Sequence, residues 1–205
     1  VTKLCDYLMM PVAAMFEAKG FVGNEHNNPH YQLGLMATAF ADVIILLNVT
    51  PDYMFNCLSS PAYNPFAKFI CINTNPNLVG MNRDFEVGIV GTPGEICKQI
   101  YDKLVTLRDR QPDPAFLQEV GAMAQGMAMA DAANVSSEAI PINSKRASKD
   151  IAAFVSENPE WTVVCEGGDA VSNVAINVVA DRSSKIVFGG RYGGIGYGLP
   201  AAIGV

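Results

Sequence analysis

Short, almost wholly apolar runs alternate along this chain with polar stretches rich in glycine and proline. Asp42-Val-Ile-Ile-Leu-Leu47 and Lys68 to Asn73 are apolar runs of strand length, the pattern of strands covered on both faces. Phe85 to Val90 is a further strand of this kind. Ahead of them, Thr2 to Met9 predicts a short amphipathic helix leading into a strand at Pro11 to Met15, and Lys19-Gly20 and Asn24 to Pro29 supply loop residues. Each strand is followed by turn chemistry and then a segment expected to be helical. The clearest is Thr92-Pro93-Gly94-Glu95, a capping box with proline at the first helical position, whose helix carries Ile96, Ile100, Leu104 and Leu107 as one stripe. Strand and helix alternating at this spacing predict an α/β fold with parallel, doubly wound, Rossmann-like sheets.

Arg108 to Pro114 is charged, carries two prolines and ends that first unit. The expected organisation is a Rossmann-like domain over 1–107, a linker over 108–143 and a second unit over 144–205. Within the linker, the Ala/Met/Gly-rich stretch from Gly121 to Ala133 reads as a helix packed on a neighbouring domain or subunit. The second unit predicts a helix from Ser144 to about Glu157, a strand at Trp161 to Cys165, a turn at Glu166 to Asp169, a helix to about Ala180 and a strand at Lys185 to Phe188. Five glycines between Gly189 and Gly196 follow, and Leu199-Pro-Ala-Ala-Ile203 opens a helix directly behind them.

Composition narrows the function classes. The 205 residues are half hydrophobic, enough for one large core or two modest ones. The balance of 14 basic against 20 acidic side chains gives a net charge of −6, and no basic cluster offers a footprint for nucleic acid or an anionic membrane. Apolar runs such as Val43 to Leu47 fall far short of the roughly 20 residues that span a bilayer, and the N-terminus has no signal-peptide pattern. A cytoplasmic protein is expected, although the chain starts at Val1 and a targeting segment can precede it. Cys5, Cys57, Cys71, Cys97 and Cys165 are widely spaced, mostly within apolar runs, and read as reduced core thiols. His26 and His30 lie four apart in Asn- and Pro-rich sequence, the setting of ordinary loop histidines rather than metal ligands.

Two glycine-bearing turns, Glu166-Gly-Gly-Asp169 and Gly189 to Gly196, are thereby predicted at the carboxyl ends of two strands of one sheet, where open α/β folds bind ligands. Glycine removes Cβ atoms where a loop needs unusual torsions or where a ligand touches main chain. The competing reading is a loop that permits tight helix and strand packing. A dinucleotide fingerprint starting at Gly194 fails, because it requires glycine at 199 and that residue is leucine.

The order strand, Glu166-Gly-Gly-Asp169, helix, strand, Gly193-Gly-Ile-Gly-Tyr-Gly-Leu-Pro-Ala-Ala-Ile-Gly204 resembles the opening of the diphosphate-binding domain of thiamin diphosphate enzymes, the superfamily of acetolactate synthase, benzoylformate decarboxylase and oxalyl-CoA decarboxylase. The first unit resembles the central domain of the same enzymes: Pro11-Val12 through Lys19-Gly20, then Ala41-Asp42-Val-Ile-Ile, then Ile70 to Gly80, then Gly91-Thr-Pro-Gly-Glu95. The resemblance implies that the Gly193 carbonyl accepts a hydrogen bond from the cofactor's aminopyrimidine. It implies that Ile195, beside Gly194, wedges the cofactor into a bent shape with its amino group against the reactive ring carbon. It places Gly167, Gly168, Asp169 and Ala170 against the diphosphate, through amides at a helix N-terminus. An aspartate at 169 and an alanine at 170 depart from the pattern, in which relatives often carry a neutral polar side chain or histidine.

Acetolactate synthase-like and oxalyl-CoA decarboxylase-like features coexist. Leu199 to Gly204 resembles the first, whereas Glu166 to Asn173, Tyr192 and the stretch from His26 to Asp42 resemble the second. Asn48-Val-Thr-Pro-Asp52, Asn73 and Asn75 depart from the motifs of flavin-binding relatives and argue against FAD, and equally against the ADP site of the oxalyl-CoA branch. The implied function is a decarboxylase or carboligase that cleaves or forms C–C bonds of 2-oxo acids, with thiamin diphosphate and Mg²⁺. The alternatives are a 2-hydroxyacyl-CoA lyase or oxalyl-CoA decarboxylase acting on acyl-CoA, and a non-catalytic regulatory or scaffold homologue without the metal site. The Mg²⁺-binding segment and the pyrimidine domain of such enzymes do not occur between Val1 and Val205, and the first strand of the central domain is missing. A fragment of a longer enzyme is therefore expected, inactive alone. Because such enzymes complete their sites across subunits, the resemblance implies a homodimer or homotetramer.

Overall fold

The computed structural model of the chain describes residues 1–15, 18–21, 30–107, 114–178, 180 and 185–205. It divides into two compact units, one comprising Val1–Ala13 and the described residues of Pro29–Ala122, the other the described residues of Ala14–Asn28 and Met123–Val205.

The first unit is built on a three-stranded parallel sheet, β1 (Val43–Leu47), β2 (Lys68–Asn73) and β3 (Val87–Val90), in the order β1-β2-β3. Val43 pairs with Lys68, so β1 and β2 start level, whereas Ile70 pairs with Val87, so β3 starts two residues further along β2. β2 lies in the middle, and Phe69, Cys71 and Ile72 are buried. Burial on both faces, expected for all three strands, is not what β1 and β3 show. They are the edges, and Val43, Val87 and Val90 remain exposed. Ile44, Leu46, Leu58, Tyr63, Ala67 and Phe69 form one core cluster. Arg83 closes it, donating to the carbonyls of Leu58 (3.0 Å) and Pro65 (2.6 Å) and stacking its guanidinium 4.4 Å from the Phe69 ring centre.

The helices expected between these strands are replaced by short 3₁₀ turns at Tyr53–Leu58 and Pro76–Leu78. Prolines 51, 61, 65 and 76 remove backbone donors. Short side chains bond locally instead: Asp52 accepts from Met54 N–H, Asn64 from Phe66 N–H and Asn75 from Asn77 N–H. The helix after β3 forms as expected, α3 spanning Pro93–Thr106, but the Thr92 side chain makes no capping bond; its carbonyl accepts from Ile96 N–H. Helix α1 (Thr2–Leu8) packs on α3, with Tyr7 and Tyr101 edge to face at 5.6 Å.

The strand expected at Pro11–Met15 does not form. A helix, α2 (His30–Ala37), precedes β1 as the alternation predicts, and an added Cβ at its Gly34 would overlap the backbone of Val12 and Ala13. Glycine at 34 thus lets this segment lie directly on α2. His26, the loop at Asn24–Pro29 and all of the Arg108–Pro114 linker except Pro114 lie outside the described residues, apart from the backbone of His30 at the start of α2. The Ala/Met-rich stretch is part of a 21-residue helix, α4 (Ala115–Val135).

The second unit pairs β4 (Val163–Cys165) with β5 (Ile186–Phe188) in parallel, flanked by α5 (Ser144–Ser156) and α6 (Asp169–Asn177), and ends in α7 (Gly198–Gly204). Asn143 caps α5 by accepting from Lys145 N–H at 2.9 Å. Val155, Cys165, Val171, Val174, Val178 and Ile186 make its core. Lys185 is buried, and its ammonium donates to the carbonyls of Asn158 (3.1 Å) and Pro159 (3.0 Å), tying the entrance of β5 to the end of α5.

Candidate binding site at the carboxyl ends of β4 and β5

In-register pairing of Cys165 with Phe188 means that the two strands end level, so the turns beginning at Glu166 and Gly189 leave the same edge. The first turn is short. Gly167 has φ +91°, a conformation in which an L side chain is strained. Gly168 is the N-cap of α6, and no side chain caps that helix. The first amides of α6 are therefore offered at the strand edge, with the positive end of the helix dipole behind them. Asp169 and Ala170 open the helix, and their side chains lie outside what the structure describes.

The second turn is longer and held differently. After β5 comes a 3₁₀ turn, Gly190–Tyr192, ending in left-handed Gly193 (φ 55°). Gly189 allows close packing, because an added Cβ would meet the Tyr197 ring at 3.2 Å. At Gly167, Gly168, Gly193 and Gly194 an added Cβ meets no described atom within 4 Å. Close packing thus accounts for glycine at 189, whereas Gly167, Gly168, Gly193 and Gly194 face open space among the described residues. At Gly168 and Gly194 no positive φ requires glycine either. Ile195 is 91% exposed at the end of this bare loop.

One side chain joins the two turns. Glu166 accepts hydrogen bonds from the backbone N–H of Gly196 on Oε1 and of Gly198 on Oε2. The Gly196 amide first, and then the Gly198 amide, hold its carboxyl below the usual carboxylate range. Both oxygens are engaged, so Glu166 is a fixed structural anion in this arrangement rather than a proton carrier. Sequence reading placed Glu166 inside the motif without a role, because nothing local to it points 30 and 32 residues onward.

Below the turns, Lys19 donates from Nζ to the Val178 carbonyl at 3.2 Å, and burial lowers its pKa. Burial raises the Cys165 thiol, against the opposing charge of Lys19. At the other sheet, Asn48 and Asn73 are committed to loop structure. Asn48 Oδ1 accepts from Thr74 N–H (3.0 Å), while Asn73 donates to the Val49 carbonyl (3.0 Å) and accepts from Asn75 N–H (2.9 Å). Of the five cysteines, all free, Cys57 is exposed rather than part of the core. No helix among the described residues is long and apolar enough to cross a membrane.

The N-terminus of α6 at Gly168–Asp169 and the glycine loop around Gly193, with exposed Ile195 in it, thus start from one strand edge. A helix N-terminus and an open glycine loop are elements that could hold a phosphate group and a neighbouring ring. Residues 1–100 match the family model described as thiamine pyrophosphate enzyme, central domain. That match covers the first sheet and stops before either glycine turn. A search of curated proteins found no match to the chain.

Proposed function

Residues 1–100 of this chain belong to the central-domain family of thiamine pyrophosphate enzymes, and from that premise we propose that the protein is a thiamin diphosphate-dependent enzyme acting at a C–C bond next to a carbonyl. The reaction we favour is decarboxylation of a 2-oxo acid, with release or transfer of the remaining acyl unit. The observation that carries this reading is the pair of glycine turns at the level ends of two parallel strands, with no neighbouring atom within 4 Å of an added Cβ at Gly167, Gly168, Gly193 or Gly194.

In this reading the α6 amides from Asp169 onward hold the diphosphate, and Gly167 and Gly168 let it approach the backbone. The carboxylate of Asp169 opposes that anion, and a Mg²⁺ ion bound with the diphosphate would offset it. The Gly193 carbonyl orients the aminopyrimidine, and Ile195, exposed without the cofactor, becomes buried against it. Thiamin diphosphate supplies an electron sink and a base of its own, so the chain's residues bind and orient and need not move a proton. Assembly as a homodimer or homotetramer belongs to the same proposal, on the family resemblance.

The test is an equilibrium titration of the intact natural protein with thiamin diphosphate in the presence of Mg²⁺, followed by assays of CO₂ release from 2-oxo acids and of cleavage of 2-hydroxyacyl- and oxalyl-CoA thioesters. Saturable binding with turnover of a 2-oxo acid is expected. Turnover of CoA thioesters alone would move the assignment to the acyl-CoA branch. Binding without turnover of either class would favour the regulatory homologue, and absence of binding would refute the cofactor reading.

A further inference from the structure

We propose that Glu166 is the positioning residue that locks the cofactor loop, a role that rests on the thiamin diphosphate reading above. The loop from Gly189 to Gly196 carries five glycines. Added Cβ atoms at Gly190, Gly193, Gly194 and Gly196 would meet no described atom within 4 Å, so at these four positions packing does not offset the backbone entropy of glycine. The Glu166 carboxylate ties its far end down, accepting from the amides of Gly196 and Gly198 on either side of Tyr197. Hydrogen bonds to an ionised acceptor are about twice as strong as neutral ones, and two of them on one carboxylate fix both the direction and the distance of the segment that leads from the loop into α7.

Gly198 is explained by the same contact. A Cβ at 198 would lie 2.8 Å from Glu166 Oε2 and 3.0 Å from its Cβ, so any larger residue would push the carboxylate away. Upstream, Ile195 is the neighbour of Gly196, and the Gly193 carbonyl lies three residues before it. On its own side, Glu166 immediately precedes the Gly167-Gly168 turn into α6, whose Val171 and Val174 are seated in the core. The carboxylate therefore sets the ring-binding loop relative to a diphosphate-binding turn that the core already holds. Glu166 itself is assigned no contact with the cofactor; it acts through the backbone it holds.

The experiment titrates the intact natural protein and its Glu166→Gln and Gly198→Ala variants, with Mg²⁺ present, using thiamin diphosphate and, separately, inorganic pyrophosphate. Glutamine keeps one acceptor oxygen but turns an amino group towards an amide hydrogen, losing one bond and opposing two donors. The expected result is a loss of thiamin diphosphate affinity of about tenfold or more, the scale seen when groups that orient a binding shell are removed, with pyrophosphate affinity unchanged. In the unliganded proteins, hydrogen exchange at the Gly196 and Gly198 amides should speed up in Glu166→Gln while core amides stay protected. Gly198→Ala should reproduce both effects with the carboxylate intact. Unchanged thiamin diphosphate affinity would overturn the proposal, as would an equal loss of pyrophosphate affinity, which would make Glu166 a support for the whole turn. A wild-type protein that binds no thiamin diphosphate would refute the cofactor reading instead, while the exchange rates still report whether the tie exists.

Discussion

Truncating Ile195 to alanine separates a ligand-facing side chain from a structural one, because the proposed site assigns opposite consequences to the unliganded and cofactor-bound protein. Fully burying an isoleucine is worth about 1.5–3 kcal/mol. With Ile195 91% exposed, only about 0.3 kcal/mol of that is realised without ligand. At about 2–4 °C per kcal/mol for a chain of this size, the unliganded melting point should move by about 1 °C or less. With cofactor bound, the three carbon atoms that alanine lacks should be buried, at about 0.8 kcal/mol each. The variant should then lose about 2 kcal/mol of cofactor binding, a factor of about 30. Ile186→Ala is the control, the same truncation in the same unit at a side chain only 5% exposed. It should cost about 2–5 kcal/mol of stability. The assay is calorimetric melting without ligand, paired with thiamin diphosphate titration of each variant of the intact protein. If Ile195→Ala melts as low as Ile186→Ala, or binds thiamin diphosphate as tightly as wild type, the wedge assignment is wrong.

Three further outcomes are expected. Phe69→Ala should destabilise the first unit by about 3–5 kcal/mol in urea denaturation, since Phe69 is buried near the start of the central strand β2 between Tyr63 and Phe85 with Arg83 on its face; a loss under about 1 kcal/mol would contradict the core described. A thiol reagent at mildly alkaline pH should modify Cys57 first, with the modified residue identified by mass spectrometry, because the other four thiols are buried and burial pushes Cys5 up to about 11 and raises Cys71, Cys97 and Cys165. Asp131, bonded by Lys145 at 2.7 Å and by Asn134, has its carboxyl held below the usual range, chiefly by the Lys145 bond. A depressed folded-state pKa contributes stability above the unfolded carboxylate range and loses it as pH falls through the folded value. The acid limb of the stability curve should accordingly flatten in Asp131→Asn, and an unchanged limb would show that the pair contributes nothing.

Much of the architecture was legible because strand-length apolar runs carry it. β2 matches the predicted Lys68–Asn73 residue for residue, and β1, β3, α3 and α5 differ from expectation only near their ends. What the pattern missed depends on contacts distant in sequence or on local polar bonds that compete with helix. Pro11–Met15 has strand composition, yet Val12 and Ala13 lie against the bare Cα of Gly34 on a helix that no strong periodicity announced. The loop after β1 takes left-handed backbone at Asn56, Cys57 and Leu58, a choice that disfavours cysteine and leucine locally and that accompanies the burial of Leu58 in the core. At the candidate site, the glycines were visible as composition and their position was predictable from the strand order. The Glu166 tie was not, since it spans 30 residues and rests on backbone donors that any sequence would possess.

The most direct test of the account is an experimental structure of the intact natural protein with thiamin diphosphate and Mg²⁺. The account predicts the diphosphate on the amides that open α6, the aminopyrimidine within hydrogen-bonding distance of the Gly193 carbonyl, and Ile195 packed beneath the bend. A cofactor bound away from the ends of β4 and β5, or none bound at saturating concentration, would contradict it.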